Sequence, residues 1–181
     1  MVGQQNIDWP LIRKQLPFEQ TPEQNAMRDK LWKLVDINGN SYVSLAELDK
    51  ALRDVFHCYQ VFECKPVIIR AFTAAKHAVG NKKQHGDFYI DRSEFRLVLL
   101  YLRQYFEYFQ AFSRIDANDD RRISREEFIS AKQMIERWVG PIKNPDATFK
   151  EIDTNKGGFI LFDEFCEWAI RKNLDLEDDD D

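Results

Sequence analysis

The sequence predicts an all-α protein: four helix–loop–helix units in two pairs, packed as one compact body behind an extra N-terminal helix. Three observations carry this reading. A twelve-residue segment that opens on Asp, with Asn third and Glu twelfth, recurs at Asp36–Glu47, Asp116–Glu127 and Asp153–Glu164. Apolar residues at helical spacing flank each copy. Neither Gly nor Pro interrupts the stretch from Arg92 to Ile115, whose apolar residues occupy more than one helix face, as a polar linker between separate lobes would not.

Taken in order, residues 1–20 form an N-terminal segment with a short helix. Asp8 is its N-cap, Pro10 an early helical position, and Leu11, Ile12 and Leu16 an apolar stripe before Pro17 stops it. Residues 21–103 form the first pair. Thr21-Pro22-Glu23-Gln24 starts a helix with a capping box, which runs to Val35 and carries Leu31, Trp32, Leu34 and Val35. After the first loop a helix from Leu45 to about Tyr59 carries Leu48, Leu52, Val55 and Phe56. The second unit enters on a helix from Pro66 to Val79 and leaves on one that begins Arg92-Ser-Glu94-Phe95. Residues 104–174 form the second pair. Its first outgoing helix stops near Trp138-Val-Gly140-Pro141, Asn144-Pro145 restarts the chain, and Phe165, Trp168 and Ala169 extend the apolar face past the last loop. Residues 175–181 are an acidic, solvated, disordered tail.

The recurring segment is the EF-hand calcium loop, and coordination geometry explains its spacing. Ca²⁺ takes about 6–8 oxygens, which the loop supplies from positions 1, 3, 5, 7 (a backbone carbonyl), 9 and a bidentate Glu at 12. The third loop offers Asp116, Asn118, Asp120, the Arg122 carbonyl, Ser124 and Glu127. The first offers Asp36, Asn38, Asn40, the Tyr42 carbonyl, Ser44 and Glu47. The fourth offers Asp153, Asn155, the Phe159 carbonyl and Glu164, with Gly157 at position 5 and Leu161 at position 9 leaving oxygens to water. Charge ranks the third loop first with three carboxylates against two in each of the others, and the oxygens missing at positions 5 and 9 place the fourth loop after the first. Position 6 wants a left-handed backbone. Only Gly158 meets that need without cost, whereas Ser41 and Arg121 each carry a penalty of about 1–2 kcal/mol. Micromolar sensing fits these loops better than nanomolar buffering.

The second loop is degenerate. Aligning Ile90 to position 8 and Glu94 to position 12 puts Lys83, His85 and Asp87 at positions 1, 3 and 5, so no calcium is expected there. Its hand is still required. Paired loops exchange backbone hydrogen bonds at position 8, so Val43 should face Ile90 and Ile123 should face Ile160.

Composition narrows the function. Hydrophobic residues make up 44% and aromatic residues 13%, enough to bury a core. The net charge is −5, and six acidic groups in the last seven residues account for it, so the body is nearly neutral and nucleic acid is not an expected partner. No apolar run is long enough to span a membrane. Cys58, Cys64 and Cys166 read as reduced thiols of a cytoplasmic protein, and no histidine–cysteine cluster suits a transition metal. No nucleophile–base pair or phosphate-cradling loop points to an enzyme.

The order Trp9…Ile12-Arg13…Pro17…Thr21…Glu23, a hand opening at Asp36, a degenerate second hand ending Glu94-Phe95-Arg96-Leu97, and Glu151-Ile-Asp-Thr-Asn155…Phe162-Asp-Glu-Phe165-Cys166-Glu-Trp168-Ala169 resembles the calflagins, the flagellar calcium-binding proteins of trypanosomes, from about Ile7 to Leu174. The resemblance implies two packed EF-hand pairs, Ca²⁺ binding concentrated in the C-terminal pair, and a signalling role at a flagellum, cilium or membrane-associated compartment. Family members attach to membrane by N-terminal acylation, which needs Gly after Met and a nearby Cys. This chain opens Met1-Val2-Gly3-Gln4 with no Cys before Cys58, so an acyl anchor is not carried over. The sequence therefore reads as a Ca²⁺ sensor that changes helix packing and offers an apolar groove to a protein target. The alternative is a calcium-independent EF-hand scaffold of a cilium or flagellum.

Overall fold

The computed structural model describes residues 7–78 and 88–176. Its chain falls into two compact units that divide in sequence between Phe106 and Glu107.

In the N-terminal unit, α1 (Trp9–Gln15) is capped by Asp8, whose carboxylate accepts from the Leu11 N–H at 2.9 Å. Trp9, Ile12 and Leu16 are buried, whereas Leu11 is 44% exposed. The stripe runs through positions i, i+3 and i+7, and at about 100° per residue Leu11 falls outside it. The linker after Pro17 is held by a side chain that periodicity does not flag. The buried Arg28 guanidinium donates to the carbonyls of Pro17 and Glu19, at 2.9 and 2.7 Å, and to the Asn25 side chain.

Thr21 caps α2 (Pro22–Val35) by accepting from the Gln24 N–H. The second half of the expected capping box is absent, because the Gln24 amide bonds both the backbone N–H and the carboxylate of Glu19 instead. Leu34, expected on the buried stripe, is exposed.

Strand β1 (Tyr42–Ser44) leads into α3 (Leu45–Asp54), which stops short of the expected Tyr59. His57 turns left-handed at φ +52°, and the Cys58 N–H reaches back six residues to the Leu52 carbonyl. That is a Schellman-type closure at a residue other than Gly, so no stop signal was visible. The turn buries both Phe56 and Cys58. The short α4 (Tyr59–Phe62) precedes α5 (Lys65–Ala78), and β2 (Tyr89–Asp91) pairs antiparallel with β1. Val43 lies opposite Ile90, as the loop alignment requires.

Burial pushes the free thiols of Cys58 and Cys64 up to about 11 and about 12, so both stay protonated at neutral pH. The third free thiol, Cys166, is also buried.

Helix α6 (Arg92–Ile115) serves each unit with its own half. Phe95, near its start, is wholly buried against the rings of Trp32 and Phe56. Phe112, near its end, packs edge-on against Phe162 and Phe165.

In the C-terminal unit, β3 (Ile123–Ser124) pairs antiparallel with β4 (Phe159–Ile160), Ile123 opposite Ile160 as expected. The third hand leaves through two helices, α7 (Arg125–Ser130) and α8 (Lys132–Val139), which break at Ala131. Gly140, at φ +83°, ends α8, and α9 (Pro145–Ile152) starts on an Asn144 cap. Phe128, Phe165 and Trp168 form the core under α10 (Phe162–Lys172).

One correction concerns the tail. The acidic composition predicts a solvated end from Asp175 on, but Leu176 is fully buried, and its N–H donates to the buried Glu107 carboxylate at 2.7 Å. The Asp175 N–H reaches the Trp138 carbonyl. Acidic composition hid Leu176, whose burial outweighs the cost of ordering the residues that lead to it. Residues 177–181 lie outside the described residues.

Candidate calcium-binding loops

The three loops share one backbone. Position 4 is left-handed in each (Gly39 φ +68°, Asp119 φ +58°, Lys156 φ +58°), and so is position 6 (Ser41 φ +69°, Arg121 φ +66°, Gly158 φ +82°). The strain expected at Ser41 and Arg121 is therefore present. The same conformation at position 4 was missed, although Gly39 is a residue type that signals it.

This backbone turns the N–H groups of positions 5 and 6 inward onto the Asp of position 1. The Asp116 carboxylate accepts from Asp120 N–H at 3.2 Å and Arg121 N–H at 2.8 Å. Asp36 accepts from Asn40 and Ser41 at 3.1 and 2.9 Å, and Asp153 from Gly157 and Gly158 at 2.9 and 3.0 Å. The Asn at position 3 accepts from the N–H of position 5 in all three.

The Glu at position 12 points into its loop. Glu127 accepts from the N–H groups of Ala117 and Asn118 through one oxygen and from Ser124 through the other. Glu164 repeats this with Asn155, the Thr154 hydroxyl and Leu161. Glu47 accepts from the Asn38 amide and from Ser44. Ser44 and Ser124, at position 9, also cap the outgoing helices α3 and α7. The side chains assigned as ligands at positions 1, 3 and 12 are thus held within each loop by its own hydrogen bonds.

Electrostatics separate the loops. Burial pushes the Asp116 carboxyl up, with the charges of Asp120 and Glu127 adding to the effect against two backbone donors. An inward cation would relieve this concentration of charge. Burial also opposes ionisation of Glu127 and Glu164, but their N–H and hydroxyl donors prevail and hold both carboxyls below the usual range. Asp120 is held low chiefly by its hydrogen bond to the Arg122 guanidinium.

The donor set is oxygen only, which fits a hard cation and not zinc or copper. Among the described residues no three Asp, Glu, His or Cys side chains form a metal cluster on their own. Asn38, Asn118, Asn155 and the carbonyls of Tyr42, Arg122 and Phe159 would have to complete the shells, as EF-hand geometry provides.

The fourth loop lacks a side chain at position 5. A Cβ built on Gly157 would come within 2.6 Å of the Asn155 Oδ1, a side-chain atom that can shift. Asn40 and Asp120 already stand at the equivalent place with the same Asn partner 2.9 Å from their N–H groups. Gly157→Asp is accordingly expected to tighten calcium binding at the fourth loop by about tenfold, through one added charged ligand. Calorimetry on a background carrying Glu47→Gln and Glu127→Gln reads this directly. Weaker binding would mean that Asn155 cannot yield.

In the second hand, Lys83, His85 and Asp87 lie outside the described residues. Glu94, at position 12, is described and buried. Its two oxygens lie 3.2 and 3.3 Å from Lys76 Nζ, and one accepts from Asp91 N–H at 2.8 Å. An ammonium ion thus meets the carboxylate that would hold calcium in a working loop. Sequence reasoning overlooked Lys76, although it falls at i+4 and i+8 from Phe72 and Ile68, on an otherwise apolar row.

Family models match both halves of the chain. The model of the FCaBP EF-hand domain matches residues 12–102, and that of an EF-hand domain pair matches residues 106–170. A flagellar calcium-binding protein of Trypanosoma cruzi is 32% identical over 176 residues, covering 96% of this chain and 83% of the relative. Flagellar calcium-binding protein TB-17 of Trypanosoma brucei brucei is 32% identical over 178 residues, covering 97% and 76%. A solved homolog of programmed cell death 6 protein from Leishmania major Friedlin covers 79% of this chain and 70% of its own, at 18% identity and a TM-score of 0.39.

Proposed function

The chain belongs to the family of flagellar calcium-binding proteins, EF-hand proteins and not enzymes, and from that premise we propose that it is a calcium sensor whose C-terminal pair does the sensing. The carrying observation is the linked pair of loops at Asp116–Glu127 and Asp153–Glu164. Each turns position 1 and position 12 carboxylates inward, and Ile123 is bridged to Ile160 between them.

Bound calcium would supply charge neutralisation that the loops' own N–H donors provide only in part. Each Glu at position 12 is the third residue of its outgoing helix, so a change at Glu127 or Glu164 is passed to α7 or α10. Movement of α10 would carry Phe162 and Phe165 away from Phe112 and open apolar surface to a helical segment of a protein target. The relatives are named as flagellar proteins, and we propose the same compartment for this chain. Loop chemistry orders the sites as third, first, fourth.

A scaffold that works without calcium is the second reading. The Lys76–Glu94 pair favours it, since it gives the second hand a cation of its own.

Calcium titration by calorimetry in physiological Mg²⁺, with a hydrophobic dye in parallel, tests the proposal. Glu127→Gln and Glu164→Gln should each weaken their loop about 10- to 100-fold, as loss of a charged ligand predicts. Dye uptake should rise with occupancy of the C-terminal pair. Binding without dye uptake would leave the scaffold; no heat below millimolar calcium would reject the sensor.

A further inference from the structure

Arg122 holds a position in the third loop that its role as a carbonyl donor does not explain. Its backbone N–H donates to one oxygen of Asp120 at 3.2 Å, and its guanidinium Nε donates to the other at 2.9 Å. Both oxygens of the position 5 ligand are thereby engaged by the position 7 residue. The Asn118 amide adds a weaker contact to Asp120 at 3.4 Å.

The guanidinium also lies over the ring of Phe159, 4.2 Å from its centroid. Phe159 is position 7 of the fourth loop, so one side chain touches a ligand of one loop and the equivalent residue of the other. The first loop has Tyr42 at position 7, which offers no cation to Asn40. The third loop combines the most carboxylates with the only arginine at this position among the three.

We propose that Arg122 is a tethered competitor for calcium in the third loop, a built-in cation that holds Asp120 when the ion is absent and so sets the loop's calcium threshold. A metal entering the loop needs an Asp120 oxygen, and Arg122 must yield it. The Phe159 face gives the displaced guanidinium a place to remain, since cation–π attraction does not depend on the Asp120 contact. Rim charge pairs of this kind respond strongly to salt, because both partners are solvent-accessible. The competition should therefore fade as ionic strength rises. It should also depend on charge, so that Lys at position 122 preserves part of it. This inference rests on the third loop binding calcium.

The test is calcium titration of the full chain carrying Glu47→Gln and Glu164→Gln, so that the third loop reports, with and without Arg122→Gln. At low salt, Arg122→Gln should bind calcium about 3- to 10-fold more tightly. The gain should shrink severalfold at high salt, and Arg122→Lys should fall between the two. Thermal melting with chelator and with saturating calcium gives an independent readout, in which Arg122→Gln lowers the metal-free transition and leaves the calcium-loaded one nearly unchanged. Unchanged or weaker binding by Arg122→Gln, where the parent binds, overturns the proposal. Absence of binding in the parent and the variant alike overturns the assignment of the third loop itself, and the proposal with it.

Discussion

Lys76→Met should lower the metal-free melting transition of the N-terminal unit by about 10–20 °C, the shift expected for a loss of about 2–3 kcal/mol in a domain of this size. The side chains of Lys76 and Glu94 are only 13% and 7% exposed. Methionine keeps most of the apolar stem and removes the charge, so the loss reports on Glu94 left without its ammonium partner. A buried carboxylate stripped of its counterion costs more than the pair contributed, because its desolvation is no longer offset.

The double variant Lys76→Met with Glu94→Gln should then recover at least half of the loss, since it removes the stranded charge. Calcium should restore neither. Scanning calorimetry in chelator decides the matter, with the transition assigned by Trp32 fluorescence. An unchanged Lys76→Met would show that the Val43–Ile90 ladder and the Phe95 core hold the second hand by themselves.

A chain ended after Asn173 should lose about 3–5 kcal/mol from the C-terminal unit, the scale for removing buried leucines from a packed core. Leu174 and Leu176 are 5% and 0% exposed, and the Leu176 N–H bond to Glu107 is buried. The truncated protein should also take up hydrophobic dye without calcium, because the surface covered by these leucines is uncovered permanently. Leu176→Ala alone should cost about 2–3 kcal/mol, which separates packing from loss of the acidic end. Melting and dye binding read both variants. A full-length transition in the truncated chain would mean that the segment after Asn173 contributes nothing to the core.

These expectations come from different places. The loop positions, the pairing of Val43 with Ile90 and of Ile123 with Ile160, and the helix starts at Thr21 and Asn144 were all legible in sequence. They depend on short-range rules, namely ligand spacing, capping and apolar period. The end of α3 was not legible, because His57 adopts a left-handed turn without Gly to announce it. Nor was the break at Ala131, where no residue forbids a continuous helix.

Sequence alone determined that this is an EF-hand protein in which three loops carry the ligand pattern and one departs from it, since that pattern is written within twelve residues. Tertiary structure decided what partners the charges outside that pattern take. Lys76 finds Glu94 eighteen residues on, Arg28 finds the carbonyls of Pro17 and Glu19, and Leu176 finds Glu107 across sixty-nine positions. The physical reason is reach. A ligand loop closes on itself, whereas a buried charge or a terminal leucine is satisfied only by whatever distant chain the packing of helices brings beside it.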